Sequence, residues 1–117
     1  MLLLASTSDK IRLTTSSTAD TDVHASYCDL TTGPTVTPGR KNTAINTATT
    51  TDIVAAPAAS TYRTVKALTI RNRHASTSVD VTVIHTDGTN AMELIKKTLT
   101  AGQSLHYHEG RGFEVMT

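Results

Sequence analysis

Two histidines flank a tyrosine in SLHYHEGRG, Ser104 to Gly112, and a glutamate and an arginine follow. On a strand, alternate side chains share a face, so His106 and His108 would stand side by side. Such a pair is half of a zinc or iron site, which takes imidazole ligands. Glu109, His85 or a copy of the pair in an oligomer could supply the third ligand. A metal-binding domain or metalloenzyme built on His106, His108 and Glu109 is therefore one reading. The other is plainer: exposed polar residues of a strand, or histidines in a polar subunit interface. A half-site is not a site, so no metal-ligating residue is assigned.

No other pattern carries chemistry. The chain has no Gly-x-Ser-x-Gly elbow, no His-Glu-x-x-His, no phosphate-binding glycine loop and no dinucleotide fingerprint. Cys28, the single cysteine, lies near His24, but nothing marks it as an activated thiolate. It reads as a small buried hydrophobe or as one half of an intermolecular disulfide. His24 and His74 sit in polar surroundings. Asp22, Asp29 and Asp52 sit among turn formers and read as turn or cap residues. A sugar site would need aromatic platforms, and only Tyr27, Tyr62 and Tyr107 are on offer beside one phenylalanine. The expectation is no enzyme, no catalytic residue and no cofactor.

The elements that would position these residues are strands. Threonine makes up about a fifth of the 117 residues, far above ordinary composition. With Val and Ile it gives a β-branched chain that fits pleated sheets and disfavours helices. Aromatics are 3%, so the core must be built from Val, Ile, Leu and Ala and will be thin. Subunit association is then a source of added stability. The net charge of +1 and the absence of charge runs give no support for nucleic-acid binding. The opening MLLLASTSDK is too short for a membrane span or a signal segment, so the chain is expected to be made in the cytoplasm with no membrane partner.

The second half has the clearest pattern. RTVKALTIRN puts Val65 and Ala67 on one side and Leu68 and Ile70 on the other, which implies a strand covered on both faces or a bulge. VDVTVIHT alternates, with Val79, Val81 and Val83 on one face. Asp87-Gly88 then signals a hairpin. AMELIKKTL has apolar positions that also suit a helix, but its place between two turn signals favours a returning strand. QSLHYH and GFEVM form a last hairpin across Glu109-Gly110-Arg111, with Leu105, Tyr107, Phe113 and Val115 on the core face. The first half is looser. DKIRLT and VHASYCDL are strand candidates, whereas 31–60 could be a weak strand pair, a long loop or an arm lying on a neighbouring subunit. The expected fold is all-β: a single antiparallel β-sandwich over 1–117, jelly-roll-like, with an extended Thr/Ala-rich N-terminal half.

VKALTIRN before a polar loop, VTVIHTDGT, TLTAGQSLHY and the closing turn EGRGF together resemble a group of small virion-associated proteins of tailed bacteriophages. STSDKIRLTTSSTADTDVHASYCDL and TPGRKNTAINTATTTDIVAAPAAST look like the same group, so the resemblance spans nearly the whole chain. It implies a structural protein of the virion without enzymatic activity: a capsid decoration protein or a neck or tail accessory. Expected partners are copies of the chain and other virion proteins of capsid, neck or tail. Thr-rich strands could also add to a neighbour's sheet edge. The competing reading is a receptor-binding or adhesin module of a tail or head fibre, presenting loops such as 73–78 or 86–90 to a host glycan.

Overall fold

The computed structural model of the chain describes all 117 residues. It has ten strands and no helix: β1 Leu2–Leu4, β2 Lys10–Thr15, β3 Thr21–Thr31, β4 Val36–Ile45, β5 Thr50–Val54, β6 Thr61–Asn72, β7 Val79–Thr86, β8 Ala91–Leu99, β9 Ser104–His108 and β10 Gly112–Met116. They form two antiparallel sheets. One runs β10-β9-β6-β3-β4, with β1 sharing an edge of β6 with β9; the other runs β5-β2-β7-β8. Hairpin β3–β4 continues into the pair β2/β5 in the opposite sheet, and β6 and β7 wrap back beside β3 and β2. This double-ribbon winding over β1–β7 is that of a jelly roll; the hairpin β9–β10 is added at the flank.

Residues 31–60 are neither an arm nor a long loop. They supply all of β4 and β5, one in each sheet. The Thr-rich stretch reads weakly because only Ile45, Ile53 and Val54 are large and buried. Cross-strand pairing and β-branching hold the remainder in the sheets. Ile53 is the extra residue of a bulge, since Ile11 faces Val54 and Arg12 faces Asp52. The bulge lets two consecutive side chains enter the core.

One continuous core of 18 side chains lies between the sheets, and Tyr107 is its sole aromatic member. Val79, Val81 and Val83 point into it, as their alternation predicts. On β6, Val65, Leu68 and Ile70 all do so. Val65 faces Tyr27 and Ala67 faces Ser26, which leaves Lys66 as the bulged residue. That bulge is the reason the apolar spacing changes phase. At Asp87-Gly88, the Asp87 carboxylate accepts from the Thr89 and Asn90 amides at 2.9 and 2.7 Å, and Gly88 takes a φ of 93° that suits glycine.

Asn72 ties the far end together. Its buried Nδ2 donates to Thr77 O and Leu99 O at 2.8 and 2.9 Å, and its Oδ1 accepts from the His74 amide at 3.0 Å. Val115 was expected in the core, but it is 39% exposed. Phe113 still packs on Tyr107, ring centroids 5.0 Å apart. The sheet carrying β10 is one strand wider than its partner, so β10 extends past the cover that β8 gives.

Candidate functional site

His106 and His108 do share the outer face of β9, with rings stacked 5.9 Å apart. The proposed third ligands lie elsewhere. Glu109 pairs with Lys66 at 2.9 Å. His85, at the edge of the core, donates Nε2–H to Leu3 O at 2.9 Å. No three His, Cys, Asp or Glu side chains come together in a metal-binding arrangement.

The aspartates are not turn or cap residues. Asp22 and Asp29 lie on β3 and Asp52 on β5; Asp29 and Asp52 are in cross-strand ion pairs, and Asp22 pairs with Arg73 just past the end of β6. Asp52 takes Arg12 Nε at 2.7 Å and Lys10 Nζ at 3.3 Å. Burial works against its charge, but these two cations outweigh it and hold the pKa below the usual carboxylate range. Asp9 behaves likewise: burial opposes its charge, and hydrogen bonds from the Ala5 amide and Ser6 hydroxyl, both 2.7 Å, overcome it. The ion pairs of Asp22, Asp29 and Asp52 depend on register between distant segments, so no local signal in the sequence reveals them.

The outer face of the wider sheet carries a shallow basin of about 470 Å³ between β4, β3 and β6, open to solvent. Asp22, His24, Asn42, Thr69 and Arg71 line it. The sequence marks none of them as a site. His24 Nδ1–H donates to Asn42 Oδ1, and its Nε2 lies 3.1 Å from Ser26 Oγ. Asp22 is taken by Arg73 at 2.8 Å. No Tyr, Phe or Trp ring lines the basin, so it lacks the usual stacking platform for a sugar.

The strongest feature is the projecting end of the same sheet, where β3, β4 and β6 run on past the β2/β5 edge around the tip loop 32–35. There the usual polarity of a sandwich is inverted. The inward face carries charge: Arg63 clamps Asp29 with two hydrogen bonds of 2.8 and 3.0 Å, donates to Ala55 O at 2.8 Å and lies 4.1 Å over the Tyr27 ring. The Asp29 hydrogen bonds raise the Arg63 pKa further, against the opposing effect of burial. Tyr27 in turn covers Gly39 so closely that a Cβ there would sit 2.5 Å from the ring. The outward face is apolar. Leu30 is directly opposite Val36 on one side and Tyr62 on the other. Leu3, opposite Thr64, extends the patch diagonally. These four side chains are 45%, 64%, 51% and 40% exposed. Cys28 lies on this face two residues from Leu30, half-buried.

No family model, curated protein or solved structure matches the chain. The fold and its surfaces therefore carry the functional reading.

Proposed function

We propose that the chain is a non-enzymatic structural protein of a tailed-phage virion, a capsid decoration or a neck or tail accessory, that acts by docking beside copies of itself and other particle proteins. The observation that carries the docking part is the inverted polarity of the projecting end. An ordinary sandwich turns apolar side chains inward along the whole strand. Here β3 and β6 keep their facing but change chemistry part-way: beyond Val65 an ion pair takes the inward positions, and Leu30, Val36 and Tyr62 stand outward. A contiguous exposed apolar patch of this kind marks an interaction surface. The thin core is in keeping with that role, and the resemblance noted above supplies its setting in the particle.

Mass spectrometry of density-purified particles, from cells in which the gene is expressed, tests the setting. The expected result is a stoichiometric component of intact virions. Recovery only in the soluble fraction would overturn it.

A further inference from the structure

We infer that the projecting end binds a second copy of the chain face to face, about a two-fold axis running along the strands, with Leu30 at its centre. This rests on the reading of the protein as one that acts by docking, and it names the surface and the mode.

Sheet edges are the first alternative, and they are guarded. Free edge β4 carries Pro38, which has no amide to donate, followed by Arg40 and Lys41. Free edge β8 is interrupted at Leu94, because Val83 faces Ile95 while Ile84 faces Glu93. Lys97, opposite the inward-facing Val81, puts a charge on the inner side of that edge. The remaining edges are short: β5 and β10 have five residues each and β1 has three. Bulges, inward charges, proline and short edge strands are the devices that prevent strand addition. The sheet-edge partnering expected from the Thr-rich composition is therefore disfavoured, and a face remains.

The face is self-complementary. The row across the strands runs Val36, Leu30, Tyr62. A two-fold axis along the strands through Leu30 stacks Leu30 on the partner's Leu30 and sets the small Val36 against the partner's Tyr62, twice. No charged side chain lies within the row, so two copies meet without like-charge repulsion. Leu3, Leu30, Val36 and Tyr62 expose on the order of 400 Å² together, within the range of the largest patch on an ordinary monomer. Two such faces bury at most about 800 Å², the scale of a weak, reversible contact. The other exposed large hydrophobics, Met92, Leu94, Val115 and Met116, are divided between β8 and β10 and form no comparable row.

Cys28 makes the geometry testable. It is the only cysteine and lies on the same face, one row from Leu30. With the axis along the strands, the two Cys28 side chains face each other across a sheet spacing of ~10 Å. With the axis across the strands they move well apart. Sedimentation of the full chain over a wide concentration series should reveal a reversible monomer–dimer equilibrium. A short bismaleimide should link the dimer through Cys28. Leu30→Glu and, independently, Val36→Glu should weaken association at least about tenfold and abolish the crosslink while leaving the circular dichroism unchanged. Leu94→Glu should alter neither. A monomer at all concentrations would overturn the inference, leaving the patch to a different particle protein; the virion measurement above is unaffected by that outcome. A dimer that persists in both Glu variants, or that Cys28 does not link, would overturn the surface or the axis.

Discussion

The two ends of β3 and β6 belong to the same pair of strands, joined across the single bulge at Lys66, yet they are built in opposite senses. At the covered end, Val23, Ala25, Leu68 and Ile70 point inward and are fully or almost fully buried, while Asp22, His24, Thr69 and Arg71 face solvent. At the projecting end, Tyr27, Asp29 and Arg63 occupy the inward face, and Leu30 and Tyr62 face out. The difference shows what each face is for. A side chain is apolar where something covers it; at the covered end the cover is the second sheet. The projecting end has outgrown that sheet, and a clamp of charge and one aromatic ring closes its inner side.

Substitutions separate the two ends by the size and kind of their effects. The largest loss is expected at the covered end. Val81→Asp places an unpaired charge on a fully buried face and should abolish soluble folding, read as recovery in the insoluble fraction. Leu68→Ala should cost about 2–5 kcal/mol in denaturant unfolding, since it opens a cavity under the second sheet. Arg63→Ala should cost about 2 kcal/mol, the scale of hydrogen bonds to a charged group. It leaves Asp29 without its cation, and that loss should be confined to the projecting end by hydrogen exchange. Leu30→Ser should change monomer stability by no more than about 0.5 kcal/mol, as an exposed site does; a loss as large as that of Leu68→Ala would erase the contrast.

Acid gives the smallest and most diffuse effect. The folded-state pKa values of Asp9 and Asp52 lie below their unfolded values. Each therefore contributes stability that is fully present above the unfolded carboxylate value of about 3.9 and is lost as pH falls through the folded value. Thermal midpoints should decline below about pH 4, and Asp52→Asn should flatten part of that decline.

How much of this was legible depended on how far apart the partners lie in sequence. Val79, Val81 and Val83 alternate beside Asp87-Gly88, so the β7–β8 hairpin could be read directly from the chain. The Thr/Ala stretch of β4 and β5 could not. Threonine fits strand, loop and turn alike, and what fixes it is the pairing with β3 and β2. The facing of β6 hinged on one bulged residue, Lys66, which periodicity hints at without locating. The His106–His108 pair was read correctly as sharing a face, because that depends only on alternation. The clamp of Arg63 on Asp29 and the latch of Asn72 on Leu99 were invisible, since each joins segments well separated along the chain. The outward row is of the same kind: Val36, Leu30 and Tyr62 become neighbours only when three strands are aligned.

The proline in β4 has a consequence for life at high concentration. A β-rich chain accumulating in a crowded cell is at risk of growing end over end into fibrils, because every open strand can template the next. Pro38, together with the inward Lys97, closes that route. Contact through a face that fits a single neighbour terminates at a pair, so copies can build up without seeding a solid.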